Sequence, residues 1–430
     1  MHFVYPCFRR AKPALDWARL PCQAFSLKSG ELAFSIATSI YLPLLKNPEH
    51  ASQPVNILQI SKFSFLKCFG GIEQAVKNIV LDTSKRGCCH TILVTDTVSD
   101  IQEDNLGYAT LVRFPTTFTI SSCPVSIPLL KHFKDYVAKA DIIHYHSPWP
   151  FSELLHIMGK VKKPSLVTYH SDIIKQMILK QFYNPFMQRF LSSLDKIVAT
   201  SQNYLYSSTS LRDFKKKSLV IPLGIDEKNY PHATEEKLLY WKNRFNHKFI
   251  LFIGVLRYYK GLPTLLNALK NSDISLVIIG TGHKEKELKK QATLLHLKNI
   301  HFLGAIRDED KIALLQLCRA VVLPSHLRSE ALGLALIEGL LFGKPLISTD
   351  IGTGTSFVNQ HGVTGFVVPP EDPRALKESM LRLLNEDETA ERMGQQSRKR
   401  YEQLFTSEKT GNAYYDLYQA INKGPPHEKK

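Results

Sequence analysis

The seven cysteines include no CxxC pair, their number is odd, and Cys88 and Cys89 are adjacent. Such spacing excludes a zinc ribbon and gives no disulfide framework. A reducing, cytosolic compartment is expected. No apolar run reaches the roughly 20 residues that span a bilayer. The longest near the start, Ala33 to Leu45, contains Pro43 and lies too far from Met1 to read as a signal peptide. A membrane would therefore be met at its surface. Neither GxGxxG nor a Walker sequence occurs, so dinucleotide or ATP binding is not indicated. Acidic side chains are in deficit, 39 against 55 Lys and Arg, for a net charge of +16. That excess suggests an anionic partner: nucleic acid, an anionic membrane surface or a phosphorylated substrate. A basic surface kept for solubility is the plainer alternative.

What is present is a globular chain of 430 residues, 44% hydrophobic and 22% charged. It exceeds the roughly 250–300 residues at which single cores stop growing, so two domains are expected. Residues 1–53 lack periodicity and read as an extension. From Val55 short apolar runs alternate with helical ones: VNILQIS, TILVT, DIIHYH, SLVTYH, KIVATS and LVIPLG. After a polar segment from Ile225 to His247 the alternation restarts with KFILFIG, ISLVIIG, IHFLG, AVVLPS, KPLIST and GFVVP. This is the pattern of parallel sheet in βα units. It predicts an α/β protein of two doubly wound, Rossmann-like domains, at 54–222 and 223–405. A closing helix at 406–423 is expected to pack back on the first domain, before a disordered 424–430 tail. Ligands of such sheets sit at the carboxyl ends of the strands.

The motifs fall in those loops. KCFGGIEQAVKNIV opens a helix at Gly70 and Gly71, where a helix start and close backbone approach suit an anion. A plain tight turn fits equally well. LFIGVLRYYKG ends a strand at Gly254 and supplies Arg257 and Lys260, two cations suited to a diphosphate; solvated loop charge is the alternative. SEALGLALIEGLLFGKP carries Glu330 and Glu338 around Gly333. Glu338 lies five residues past Gly333, about 7 Å along a helix. That is the spacing of a pyrophosphate from a ribose, whose vicinal hydroxyls a carboxylate accepts well. The alternative is one capping carboxylate and one paired in the core.

Two further groups invite metal. His144 and His146 share a strand face, as zinc ligands can, with His170 and Asp172 elsewhere; residues lining an acceptor cleft are the preferred reading. Asp308–Asp310 imitates a DxD motif but precedes a helix, and an N-cap is preferred. No metal is expected. Ser171–Lys196 combines Lys175, Lys180, Arg189 and Lys196 with Phe182, Tyr183, Phe186 and Phe190. A core helix with a solvated face is slightly favoured there over a membrane patch, to which Arg212–Ser218 would add charge.

EALGLALIE resembles the E-x7-E motif of family 4 retaining glycosyltransferases with the GT-B fold. VNILQISKF…FGGIEQ, IPLGID, VLRYYKG, VIIGTG, HFLGAI and GTGTSFVNQHGVTGFVVPPEDPRAL match that family in order and spacing, across residues 55 to about 390. The wording is similar to mannosyl- and rhamnosyl-type enzymes of bacterial surface polysaccharide. The resemblance implies that Gly70 and Gly71 approach a donor diphosphate, and that Gly254, Gly280 and Gly282 line the donor site. It implies that His170 contacts the donor sugar and Lys260 clamps the diphosphate. Glu330, with the amides of Ala331, Leu332, Gly333 and Leu334, would hold the sugar, and Glu338 the ribose. The family's arginine directly after Gly254 is here Val255, and Arg257 could supply the charge. The implied partners are a nucleotide-sugar donor, first GDP-mannose, and a lipid-linked saccharide acceptor at an anionic membrane surface, with no nucleic acid. The implied place is the cytoplasm, peripheral on the inner face of the cytoplasmic membrane. A GT-B nucleotide-sugar isomerase and an inactive nucleotide-sugar-binding scaffold are the rival readings.

Overall fold

The structure, a computed structural model, describes residues 54–64, 71–172 and 177–423, with 177–182 as backbone only. The readings made for the 1–53 extension, Gly70, Lys175, the side chains of Lys180 and Phe182, and the 424–430 tail lie outside the described residues.

The first half runs β1 (Asn56–Phe63), α1 (Gly71–Ser84), β2 (Cys89–Asp96), β3 (Gln102–Asn105), β4 (Thr110–Pro115), β5 (Phe118–Ile120), β6 (Cys123–Val125), α2 (Ile127–Lys139), β7 (Ile142–Ser147), α3 (Pro150–Gly159), β8 (Ser165–Tyr169), α4 (Met177–Ser193), β9 (Lys196–Ala199), α5 (Gln202–Ser207) and β10 (Ser218–Val220). Its sheet has the order β10-β9-β8-β7-β1-β2-β4-β3. Every pairing is parallel except β3 with β4. The chain reverses its winding between β1 and β7, which opens a crevice at their carboxyl ends.

The second half runs α6 (Glu235–Arg244), β11 (Phe249–Ile253), α7 (Leu262–Ala268), β12 (Ser275–Ile279), α8 (Glu285–Leu294), β13 (Ile300–Gly304), α9 (Asp308–Leu317), β14 (Ala320–Leu323), α10 (Leu334–Leu341), β15 (Leu346–Thr349), α11 (Thr355–Val358), β16 (Gly365–Val368), α12 (Pro373–Asn385), α13 (Asp387–Leu404) and α14 (Ser407–Asn422). Its all-parallel sheet has the order β13-β12-β11-β14-β15-β16, with the winding reversed between β11 and β14. β11, β12, β14 and β15 are buried along their whole length, as strands covered by helices on both faces must be.

Local chemistry sets the helix starts. The Ser126 hydroxyl accepts from Leu129 N at the head of α2, and Asp372 accepts from Arg374 N and Ala375 N ahead of Pro373 at the head of α12. Thr406 caps α14 in the same manner. The chain passes between the halves twice, and the two passages are bonded together: Ile225 N donates to Phe405 O and Ser407 N to Ile225 O, each 3.0 Å. Beyond the second passage α14 lies against α1 and β7. Its Tyr414, Leu417, Tyr418 and Ile421 join Ile57, Ala75 and Ile79 of the first half to the core of the second.

Three readings from sequence need correction. The polar segment 225–247 holds α6, which buries Trp241 and is capped by Thr234. β4 was absent from the expected strands because Arg113 interrupts its apolar run; the guanidinium pairs with Asp104 at 2.7 Å and Asp96 at 3.4 Å. Asp308 is the first residue of α9 rather than its cap, which is Arg307. Acidic side chains in a first turn favour the positive end of the helix, and Asp310 accepts from Lys237 Nζ at 2.8 Å and Trp241 Nε1 at 3.0 Å.

Candidate active site

The loops after β11 and β14 build the centre of the site. After β11 a 3-10 turn, Tyr258–Lys260, swings Lys260 back toward the strand end. A Cβ placed on Gly254 would stand 3.5 Å from Lys260 Nζ. Lys260 Nζ lies 2.5 Å from Glu330 Oε2, and the Ser325 hydroxyl donates to the same oxygen at 3.1 Å. Glu330 sits in the loop, ahead of α10, and its carbonyl accepts from the Thr353 hydroxyl at 2.7 Å. Gly354 N donates to Ala331 O at 2.7 Å. Leu332 is buried beside them. Gly333 stands at the N-cap of α10 with φ +83°, a conformation that suits glycine. Leu336 N donates to Gly333 O at 2.9 Å, and the amides that open α10, those of Leu334 and Ala335, stand where a helix start favours an anion.

Glu338 sits inside α10, buried, and accepts from the Tyr230 hydroxyl at 2.9 Å and Lys311 Nζ at 3.1 Å. Lys311 also reaches Asp308 at 3.2 Å. Burial pushes the Lys311 ammonium down, but Glu338 and Asp308 outweigh it and hold its pKa above the ordinary lysine value. Both glutamates of the motif thus have cationic and hydroxyl partners within the chain. This is how a buried carboxylate is tolerated. The partners leave each carboxylate one further oxygen, Oε1 of Glu330 and Oε2 of Glu338, with capacity for a ligand hydroxyl.

Gly280 and Gly282 are glycines for a reason inside the protein. A Cβ on Gly280 would stand 2.1 Å from Gly254 O, and one on Gly282 2.5 Å from Leu256 O. The ends of β11 and β12 therefore close on each other backbone to backbone. Val255 is exposed, and so is Arg257. The Arg257 charge acts on Lys62 and Glu73 of the first half, whose ammonium and carboxyl are driven by burial below and above their ordinary values. Gly71, the first residue of α1, sits opposite the first residue of α10: a Cβ there would touch Leu334 Cδ1 at 3.4 Å. Two helix starts, one from each half, thus meet with Lys62, Arg257, Lys260 and Glu330 around them.

His170 follows β8 and is buried. Its Nε2 lies 3.1 Å from His146 Nδ1, whose Nε2 lies 2.8 Å from Gln59 Oε1. Gln59 Nε2 donates to the Tyr418 hydroxyl at 3.1 Å, which places the amide oxygen toward His146. An amide oxygen only accepts, so His146 carries its proton on Nε2 and His170 donates from Nε2. His170 Nδ1 is then left as the acceptor. Burial holds the His170 pKa down to about 3, so the ring is neutral. His144 is buried rather than lining a cleft: Nδ1 lies 2.7 Å from the Tyr418 hydroxyl and Nε2 2.7 Å from Thr168 Oγ1. His146 is buried with it. Asp172 bonds to Tyr169, Ser208 and Arg328, not to the histidines. Among the described residues no cluster of three or more His, Cys, Asp or Glu forms a metal cage.

The structure brings together Gly254, Lys260, Glu330 and the start of α10, with Gly71 opposite. Glu338 lies along α10, and His170 belongs to the first half. Sequence reasoning missed Tyr230, Lys311 and Arg328. Lys311 follows the DED run at helical spacing and could have been found there. Tyr230 and Arg328 meet their partners only through the tertiary fold.

Two facing doubly wound sheets with a carboxylate pair at a helix start define a glycosyltransferase of the GT-B class. The family model for glycosyltransferase family 4 matches residues 69–229, and that for glycosyl transferases group 1 matches 239–400. The chain belongs to this glycosyltransferase family. It is 43% identical over 353 residues to D-rhamnosyltransferase WbpZ of Pseudomonas aeruginosa, covering 82% of this chain and 93% of that one. It is 41% identical over 369 residues to O-antigen chain mannosyltransferase C of Escherichia coli, covering 85% and 99%. In fold it is similar to sucrose-phosphate synthase of Thermosynechococcus elongatus, with a TM-score of 0.73 at 20% identity over 86% of this chain and 100% of that one. It is also similar to HepE of Anabaena, solved with UDP and glucose, with a TM-score of 0.70 at 17% identity over 85% and 99%.

Proposed function

We propose that this glycosyltransferase moves a hexose, first mannose from GDP-mannose, to a lipid-linked saccharide in O-antigen-type polysaccharide synthesis, and that it retains the anomeric configuration without a metal. The observation that carries the reading is the Lys260–Glu330 pair at 2.5 Å beside Gly254 and the start of α10. A fixed cation and helix amides at one point suit the charge that develops on a leaving diphosphate. Glu330, bound to Lys260 and Ser325, is placed to accept sugar hydroxyls rather than to attack carbon. Front-face attack then follows, with the leaving phosphate taking the acceptor's proton. His170, neutral and with Nδ1 as acceptor, presents a lone pair to the donor sugar. The first half takes the acceptor and the second the nucleotide. The names of the two relatives, a rhamnosyl- and a mannosyltransferase, support the sugar class.

A thermal-shift panel of GDP-, UDP- and dTDP-sugars tests the donor, because a ligand that binds the native state raises the melting temperature. GDP-mannose should give the largest shift; a shift with UDP-sugars alone would overturn the choice. NMR of the product's anomeric proton tests retention, and an inverted product would refute it.

Glu338 should act on the nucleotide through ribose hydroxyls. Glu338→Ala should weaken binding of free nucleotide diphosphate by about 1.5–3 kcal/mol, the range for hydrogen bonds to a charged group. Glu330→Gln should leave that affinity nearly unchanged while lowering turnover. Calorimetry beside steady-state kinetics measures both, and the reverse pattern would mean that the motif faces the other way.

The membrane is proposed as a surface partner at the cytoplasmic face. Among the described residues no helix is long and apolar enough to cross a bilayer. Tyr206 is exposed and lies 4.9 Å from Lys215 Nζ, beside Lys216, while Phe186 is exposed on α4. The protein should sediment with anionic vesicles at low salt and release at high salt, since surface attraction is screened. Equal binding to neutral vesicles would remove the electrostatic part of the reading.

A further inference from the structure

His170 and Glu330 come from opposite halves of the chain, yet both are assigned to one sugar ring. Something must set their separation. Two residues beyond His170 is Asp172; two residues before Glu330 is Arg328. Arg328 Nη2 lies 3.3 Å from Asp172 Oδ2. Arg328 Nη1 donates to the Ser207 hydroxyl and to Gly352 O, each at 3.0 Å. Its guanidinium lies 5.2 Å from the centre of the Tyr204 ring. Thus one side chain of the second half holds a carboxylate, a hydroxyl and an aromatic face of the first, and also the loop 352–354 that straps Glu330 in place.

Asp172 is itself fixed. Its Oδ1 accepts from the Tyr169 hydroxyl at 3.0 Å and the Ser208 hydroxyl at 2.9 Å, and its amide donates to the Tyr204 hydroxyl. Its side chain is 7% exposed and that of Arg328 30%. Two more polar contacts lie alongside: the Ser207 hydroxyl donates to Gly352 O at 2.5 Å, and Asn203 Nδ2 to Ser356 Oγ at 3.0 Å. The bonds of Tyr169, Ser208 and Tyr204 to Asp172 lie within the first half and that of Arg328 to Gly352 O within the second; all the others cross from one half to the other. A planar guanidinium with several donors in fixed directions suits this task, and a lysine does not.

We infer that Arg328 and Asp172 are positioning residues: their ion pair sets the histidine loop of the first half against the glutamate loop of the second, so that one sugar meets both. The inference rests on the assignment of His170 and Glu330 to the donor sugar, but not on which sugar or nucleotide is used. Neither residue touches substrate in this account. Misplacing a reacting group by about 1 Å costs on the order of 10²-fold in rate, so a lost register appears in turnover and not in nucleotide binding.

The test compares wild type, Arg328→Ala, Arg328→Lys, Asp172→Asn and the Arg328→Ala/Asp172→Asn double variant, with whichever nucleotide sugar the wild type turns over. Arg328→Ala should lower kcat at least about 10-fold. Its Kd for the free nucleotide diphosphate should stay within about twofold, because those contacts lie in the second half. Arg328→Lys should recover only part of kcat, having charge without the fork. The double variant should be no slower than the slower single one, as partners in one interaction are not additive. Thermal unfolding of each variant, matched to wild type, separates misplacement from misfolding; should Asp172→Asn fail to fold, the Arg328 pair of variants still decides. Unchanged kcat in Arg328→Ala, a parallel loss of nucleotide affinity, full recovery with lysine, or additive losses in the double variant would each overturn the inference. If instead Glu330→Gln and His170→Ala leave turnover intact, the site assignment has failed, and that result is separate from any given by Arg328.

Discussion

Lys260→Ala should lower turnover by about 10²–10³, the scale for removing one group that stabilises developing charge. The expectation comes from where the ammonium sits: 2.5 Å from Glu330, next to the glycine that ends β11, and beside the start of α10. Removal has two consequences, and they must be separated. The proposed clamp on the leaving diphosphate is lost, and Glu330, whose side chain is 10% exposed, loses its cationic partner while keeping the Ser325 hydroxyl. Breaking a buried pair from one side costs about 3–5 kcal/mol of stability, so a fall in activity alone would be ambiguous. Lys260→Met combined with Glu330→Gln removes both charges. If the pair is merely structural, the double variant recovers stability and activity together. If Lys260 stabilises the leaving group, stability returns and turnover stays well below that of Glu330→Gln alone. Arg257→Ala is the companion measurement. The family's arginine after Gly254 is absent, and Arg257 is the exposed guanidinium on the same loop, felt across the cleft by Lys62 and Glu73. A comparable loss of turnover assigns it the missing charge. A silent Arg257→Ala means that Val255 marks a real loss, and that Lys260 with the helix amides must stabilise the diphosphate alone.

The strands of both sheets were legible because parallel strands buried on both faces read as unbroken apolar runs, and FILFI, LVII and AVVL leave little choice. β4 was not legible, since its outward Arg113 breaks the run and finds its counter-charges on β2 and β3. α6 hid for a related reason: it buries Trp241 alone among its residues, too little for an amphipathic signature. In the site, Glu330, Lys260 and the glycines were visible because they sit at fixed offsets from strand ends. What sequence left open was why a buried-looking helix tolerates two carboxylates. The answer lies in side chains far away in sequence, Lys260 for one and Tyr230 with Lys311 for the other. Gly280 and Gly282 teach the converse. They read as ligand-facing, and the fold requires them first for the approach of β11 to β12. His144 and His146 read as cleft residues because strand alternation gives a shared face without saying which face is covered, and α14, some 270 residues on, covers it.

Lowering the pH from 7.5 to 5 should destabilise the first half and its closing helix far more than ordinary surface titration would. Burial holds His90 and His170 down to about 3, and His144 and His146 well below the ordinary histidine value. Their hydrogen-bond partners are Gln59, Thr83, Thr168, Tyr418 and one another. None is a carboxylate, so nothing in the network stabilises an imidazolium. In the unfolded chain each ring titrates near about 6.5. Above that pH neither state binds the proton and the histidines are neutral in their effect. Below it the unfolded chain takes up protons that the native one refuses, and stability falls as pH drops from about 6.5 toward 3. At pH 5 the loss is about 2 kcal/mol per histidine. His90 and His170 alone then cost about 4 kcal/mol, against a usual total of about 5–15. Glu153 offsets this in part: burial raises its carboxyl to about 7, so the native state takes up its proton over the same range. Denaturant unfolding at pH 7.5, 6 and 5, with proton uptake measured on unfolding, reads the effect directly. NMR of the native rings should show none of the four titrating over that range. His144→Gln, whose amide can accept from Tyr418 and donate to Thr168, removes one titrating group while keeping both hydrogen bonds, and should make the pH dependence shallower. A free energy of unfolding that is level from pH 7.5 to 5, or native rings that protonate near 6.5, would mean that the network is open to water and that His170 is not held as a neutral acceptor at the donor sugar.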